Sequence, residues 1–306
     1  MRAAGPAPYA RRAAPAAALR QSRRLPDVRR ARRCKARALS LQGEIAAAAA
    51  AERKPRADIV LSSGFLAFAY HCGFVEACME SVEISGIMGT SAGALTGSLL
   101  AAGYTPDEVE YELARVAPME YLSPNPQLWQ GVLKMDGVVR QLATLLPETF
   151  DELKTPFACA VVDADTGAYK IIREGNLPEA VTASAAVPVL FAPVSVAGVD
   201  GGPWQDGGKH DRVGLEGWQE LRTGGLVGGH VDEGPIVHLI ERSSPFSGAD
   251  DVDMSARACG ATVVRSPKSG QSLLALNKDT FKQQREIAAG RTHATLAARK
   301  GSFVTT

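Results

Sequence analysis

Residues Val82–Ala102 read VEISGIMGTSAGALTGSLLAA. The first part, Val82–Met88, is short and apolar with β-branched residues, and predicts a strand. The last part, Ser91–Ala102, is built of small helix-compatible residues and predicts a helix. Between them stands Gly89-Thr90-Ser91-Ala92-Gly93, a Gly-x-Ser-x-Gly pentapeptide. In a sharp strand-to-helix turn this spacing lifts a serine hydroxyl clear of the sheet. Glycines two residues to either side remove the Cβ atoms that would keep strand and helix apart. The helix that follows directs its free N–H groups and the positive end of its dipole at the serine, where an anion would develop. Ser91 is therefore the candidate nucleophile, and Gly89 and Gly93 are the glycines its turn requires.

The same alternation continues on both sides. Upstream, Ala57–Leu61 predicts a strand and Ala67–Glu80 a helix. Downstream, Pro106–Val116 predicts a helix with Thr105 as N-cap, and Asp136–Leu146 an amphipathic helix. Phe157–Asp163 and Tyr169–Arg173 flank Asp165-Thr166-Gly167 and predict a hairpin. Leu177–Ala186 predicts a helix stopping at Pro188, Ile236–Ile240 and Ala261–Val264 late strands, and Lys278–Arg299 a long helix. Strands separated by helices give an α/β layered domain with a largely parallel central sheet flanked by helices. The segment Asp200–Gly234 carries eleven glycines and reads as a long loop, a kind of segment that commonly holds function.

Charge divides the chain. Residues 1–43 hold eleven Arg and one Lys against Asp27 alone, a net +11. Of the 34 basic and 33 acidic residues overall, 22 and 32 remain for the rest, a net −10. The Arg- and Ala-rich, acid-poor segment 1–43 predicts an organelle transit peptide, plastid (chloroplast) or alternatively mitochondrial. Residues 44–56 read as a linker and 57–306 as the folded domain. The acidic body argues against nucleic acid as a partner. Five cysteines (Cys34, Cys72, Cys78, Cys159, Cys259) show no paired spacing, so neither a zinc site nor a disulfide framework is expected. The longest uncharged stretch, Gly86–Tyr104, contains five glycines and reads as strand, turn and helix, so no transmembrane segment is expected. No phosphate-binding glycine motif of the nucleotide-binding kinds occurs.

A serine nucleophile needs a base and an oxyanion hole. His230 or His238, with Asp163 or Asp206 as the acid, satisfies the chain order of a Ser-His-Asp esterase. That fold, however, sets several strands ahead of its elbow, and here there is room for one strand and one helix. Four segments, in order over roughly residues 57–240, instead resemble the patatin-like phospholipase family. They are Ser62-Ser63-Gly64-Phe65-Leu66 leading to Tyr70-His71-Cys72-Gly73; the elbow at Ser91; Ala183-Ser184-Ala185-Ala186-Val187-Pro188; and Asp206-Gly207-Gly208.

The resemblance implies a Ser–Asp dyad with Ser91 as nucleophile and Asp206 as base, and no catalytic histidine. It implies an oxyanion hole of backbone N–H groups around Ser63, Gly64 and Phe65, and no cofactor or metal. A second Asp-Gly-Gly, Asp200-Gly201-Gly202, lacks the family's continuation and reads as a turn. Two departures mark this chain. The first segment lacks the usual run of glycines and its basic residue, and is closer to the adiponutrin-like branch. Arg212 stands where the family has Asn after Asp211. His71 reads as a packing histidine.

The activity implied is a lipid acyl hydrolase acting on glycerolipid esters (phospholipid, galactolipid or acylglycerol) at a peripheral membrane surface. Met119–Trp129 and Phe65–Phe68 are the candidate apolar contact segments. A catalytically silent, lipid-binding relative is the alternative that the altered glycine loop suggests.

Overall fold

The computed structural model describes Arg37, residues 53–242 and residues 252–302. Apart from Arg37, the expected transit peptide 1–43 lies outside the described residues, as do Cys34 and linker residues 44–52. The chain divides into two units, residues 1–53 and 54–306. The first contributes only Arg37 and Arg53 to the described residues; the second holds the sheet.

Strands β1 (Arg56–Leu61), β2 (Glu83–Gly89), β5 (Phe157–Asp163), β8 (Ile236–Ile240) and β9 (Thr262–Ser266) run parallel in the order β5-β2-β1-β8-β9. β6 (Tyr169–Ile172) joins the β5 edge antiparallel, as the hairpin predicted. A short β7 (Trp204–Asp206) also pairs antiparallel with β5, giving a seven-stranded sheet among the described residues.

The central strands are buried on both faces, as parallel strands covered by helices must be. Ile59, Leu61, Ile87, Cys159 and Ile236 face one core, and Val60, Met88, Ala158, Ala160 and Val237 face the other. This is the two-residue alternation of extended chain. The first core is closed by α1 (Phe68–Ser81), α2 (Ala92–Ala102), α5 (Leu177–Ser184) and α8 (Phe281–Ser302). The second is closed by α6 (Leu215–Thr223) and α7 (Val252–Cys259). The molecule is thus the expected layered α/β domain.

Local rules account for most boundaries. α3 (Pro106–Ala114) starts on a capping box in which Thr105 and Glu108 satisfy each other's backbone N–H, with Pro106 at the first helical position. α2 ends at Gly103 with φ +103°. Between α3 and α4 (Asp136–Leu145) the chain makes two 3-10 turns and a small ribbon of β3 (Ser123–Pro124) and β4 (Leu133–Lys134).

The glycine-rich stretch 200–234 departs from expectation. It holds β7, a 3-10 turn at Gly207–Lys209 and α6, rather than one long loop. α6 carries Gly217 in its first turn, which dilutes its sequence signal, yet Trp218 next to it is fully buried. Among the described residues, no helix is long and apolar enough to cross a membrane.

Candidate active site

β2 and α2 meet at Ser91, which takes φ +57° and ψ −119°. A non-glycine residue in that region is strained by roughly 1–3 kcal/mol, and the surroundings enforce it. A Cβ on Gly93 would strike the Leu61 carbonyl at the end of β1, and one on Gly89 would strike the start of α2. The turn is closed by Gly93 N–H donating to Thr90 O (2.9 Å) and Ala94 N–H to Ser91 O (2.8 Å). Ser91 N–H donates to Ser184 Oγ (3.1 Å), whose hydroxyl donates to Ala160 O on β5 (2.7 Å). The serine of the third motif is therefore the strut between elbow and sheet, a role that the motif's spacing alone does not reveal.

Asp206 reaches Ser91 through strand pairing. β2 pairs with β5 only as far as Gly89 opposite Cys159, because the chain then turns away at the elbow. β7 pairs with β5 at Val161–Asp163. Since β6 occupies the other edge of β5 there, β7 fills the edge that β2 vacates. This sets Asp206 opposite Val161, beside the elbow, where the Ser91 hydroxyl acts on its carboxylate in favour of the ionised form. Asp206 Oδ1 also accepts the Gly208 N–H (2.7 Å). The motif glycines permit close approach: a Cβ on Gly207 would strike Ala160, and one on Gly208 would press on Ser63.

Asp206 is buried, with 6% of its surface exposed. Burial pushes its carboxyl up to about 6, against the opposing pull of the Ser91 hydroxyl, the Gly208 hydrogen bond and the Arg212 charge. Ionised at neutral pH, and far more basic than an ordinary aspartate, it suits a general base.

The glycine loop bends across the end of β1. Ser63 N–H donates to the Arg212 carbonyl at 2.7 Å and so is not available to an oxyanion, which corrects its inclusion among the expected donors. Gly64 and Phe65 remain as the loop's candidates. The Ala92 N–H, in the first turn of α2, is a third donor that helix geometry leaves without an intrahelical partner.

The rival residues lie elsewhere. His238 on β8 is fully buried; its Nδ1 meets His71 Nδ1 at 2.9 Å and its Nε2 meets Ser266 Oγ at 2.9 Å. His71 Nε2 donates to Ser62 O (3.1 Å), so His71 Nδ1 must accept from His238. Burial holds both rings neutral, with His71 pushed down to about 3. His230 pairs with Asp232 at 2.8 Å. Asp163 accepts the N–H groups of Asp165, Thr166 and Gly202, anchoring the hairpin and the first Asp-Gly-Gly turn. Gly201 and Gly202 take positive φ there, as a turn requires.

Ser91 and Ala92 border a cavity with about 960 Å³ of space free of atoms, its mouth included. Its lining is overwhelmingly apolar, from Phe65, Leu95, Leu113, Val138, Leu142 and Phe191 among others. A hydroxyl at the wall of such a cavity can meet a carbonyl that carries a long hydrocarbon tail.

A family model described as patatin-like phospholipase matches residues 59–217. Uncharacterized NTE family proteins of Mycobacterium bovis and Mycobacterium tuberculosis are 28% identical over 155 residues, covering 48% of this chain and 43% of those proteins. The chain therefore spans less than half the length of these curated relatives. Similar solved structures include VipD from Legionella pneumophila (TM-score 0.41, 12% identity, covering 78% of this chain and 65% of that one). Another is full-length ExoU of Pseudomonas aeruginosa in complex with SpcU (TM-score 0.44, 13% identity, 81% and 53%).

Proposed function

The chain belongs to the patatin-like phospholipase family, and on that premise we propose that it is a lipid acyl hydrolase working through a Ser91–Asp206 dyad. The observation that carries the proposal is a strained elbow serine at the wall of an apolar cavity, with a buried carboxylate set beside it by strand pairing.

In the proposed cycle, an acyl chain lies in the cavity and its ester carbonyl meets Ser91 Oγ. Asp206 takes the hydroxyl proton as Oγ attacks. Negative charge then develops on the carbonyl oxygen, facing the N–H groups of Gly64, Phe65 and Ala92. Asp206 returns its proton to the departing alcohol, leaving an acyl-enzyme. It next removes a proton from water as that water attacks the acyl carbon, and hands the proton to Ser91 Oγ as the C–Oγ bond breaks and the fatty acid leaves. No histidine takes part. The apolar lining suits a long acyl chain, and membership of the family supports glycerolipid esters, whether phospholipid, galactolipid or acylglycerol.

A peripheral membrane surface is the proposed place of work. Leu128, Trp129, Val189 and Leu274 are exposed apolar side chains next to segments that line the cavity. Phe65–Phe68, by contrast, turns inward: Phe65 lines the cavity and Phe68 is buried against Phe281.

Ser91→Ala should abolish covalent labelling by a fluorophosphonate and reduce ester turnover by about 10³-fold or more; persistent labelling overturns the nucleophile. Asp206→Asn should reduce turnover comparably while the protein stays folded. If that variant turned over normally, and His230→Ala or His238→Gln did not, a histidine base would replace the dyad. Liposome binding without hydrolysis of any ester would mark the silent alternative.

A further inference from the structure

Arg212 occupies the place of the family's asparagine, yet only 2% of its surface is exposed. A guanidinium cannot shed its charge, so it tolerates burial only where its N–H groups are used. Here Nη2 donates to the Ile240 carbonyl at the end of β8 (2.6 Å) and to the Ser63 carbonyl (3.3 Å), and Nε donates to Ser63 Oγ (3.3 Å). The Arg212 carbonyl accepts the Ser63 N–H (2.7 Å). One residue thus grips both sides of Ser63 and ties it to a buried strand.

The consequence follows from peptide geometry. The Ser63 carbonyl and the Gly64 N–H belong to one planar trans peptide, in which C=O and N–H point in opposite directions. Turning that carbonyl onto the guanidinium fixes the Gly64 N–H on the far side. The loop cannot swing to relieve this, because Gly64 packs directly on the Ile240 side chain and Ser62 Oγ accepts the Ile240 N–H at 2.9 Å.

We propose that Arg212 is a positioning residue of the hydrolytic reaction, a clamp that aims the Gly64 N–H at the oxyanion formed on attack by Ser91. This rests on the dyad reading above. It assigns this chain's altered glycine loop a compensating device: the aim that a run of glycines leaves to the loop itself is set here by a buried cation.

The same side chain also bears on the base. Asp206 is flanked by the elbow serine, the Gly208 amide and Arg212, and among the described residues Arg212 is the charged group acting on it.

The test uses the full chain with Arg212→Lys, Arg212→Gln and Arg212→Met, each checked for folding by circular dichroism and melting temperature. Turnover is followed with a p-nitrophenyl ester, inactivation with a fluorophosphonate, and hydrogen exchange in peptides covering residues 62–66. Losing the aim of one oxyanion donor should lower kcat and the inactivation rate by about 10- to 100-fold, with KM within about threefold. Exchange at 62–66 should accelerate. Gln and Met should also move the midpoint of the ascending, low-pH limb of the pH profile upward, whereas Lys, which keeps the charge, should leave it in place and retain more activity.

A folded Gln or Met variant with wild-type kcat overturns the proposal, as does unchanged exchange at 62–66. If those two fail to fold, Arg212→Lys decides alone: wild-type kcat and exchange overturn it, and a lowered kcat with faster exchange supports it. If the wild type hydrolyses no ester, the proposed function fails separately. Exchange then still decides whether the clamp exists, and the inactivation rate whether it serves Ser91.

Discussion

At the scale of single residues, the site sets two unfavourable states against each other. Ser91 is held at φ +57°, and a carboxylate is kept in a buried place. The other non-glycine residues with positive φ among the described residues, Leu66 and Val189, lie beside the same cavity, so backbone strain gathers where chemistry is proposed. Asp206 gives the clearest forecast. Its carboxyl is raised to about 6 from a usual 3.8, so folding favours its protonated form. That stability is present in full below about pH 4 and lost as pH rises through 6, by roughly 3 kcal/mol, since each pK unit is about 1.4 kcal/mol. Asp206→Asn should therefore melt increasingly above the wild type as pH rises from 4 to 8, measured by thermal denaturation. Turnover by the wild type should rise through a midpoint near 6 and level off above it. A flat melting difference, or a midpoint near 4, would contradict the assignment of Asp206 as a buried base.

At the scale of elements, close approach and buried charge do the positioning. α8 lies against α1 at Gly73, where a Cβ would strike the Arg285 backbone. On the opposite face, Asp58 of β1 is 3% exposed and accepts from Trp218 Nε1 (2.8 Å), Arg222 Nε (2.8 Å) and Arg222 Nη2. This ties α6 to the sheet. Arg222→Ala leaves that carboxylate buried without its cation and should cost about 3–5 kcal/mol in denaturant unfolding. Asp58→Asn in the same chain should recover part of the loss, and a loss below about 1 kcal/mol would show that the pair is solvated. Apart from the two-residue strands β3 and β4, the strands and helices before Asp163 were legible because apolar runs, caps and glycines agree there. β7 and α6 were not: a three-residue strand and a helix interrupted by Gly217, both inside a glycine-rich stretch, have little periodicity to detect. β7 exists because the elbow frees an edge of β5, a condition that arises only once the sheet has formed.

For the molecule as a whole the net charge is +1, made of +11 in residues 1–43 and −10 in residues 44–306, so the proposed contact of the latter with an anionic bilayer would have to be local. Leu128 and Trp129, 65% and 81% exposed, are suited to it. Replacing both with Ser should lower hydrolysis of vesicle lipid about tenfold, an amount set by the apolar area withdrawn from the interface, while leaving a soluble short-chain ester unaffected. Equal loss on both substrates would instead place these side chains in the fold of the site. Family resemblance supplied Asp206 as the proposed partner of Ser91; the sequence by itself determined the layered α/β architecture and the elbow at Ser91. These depend on local spacing, apolar alternation and glycines whose missing Cβ atoms can be read directly. Only the tertiary structure decided that Ser63 has no N–H to give, that Ser184 braces the elbow, that His238 is turned into packing against His71 while His230 stands exposed beside Asp232, and that Arg212 grips the loop. Those outcomes depend on which donors are already taken and which charges are buried, and such properties arise only when segments as distant as residues 63, 212 and 240 share one interior.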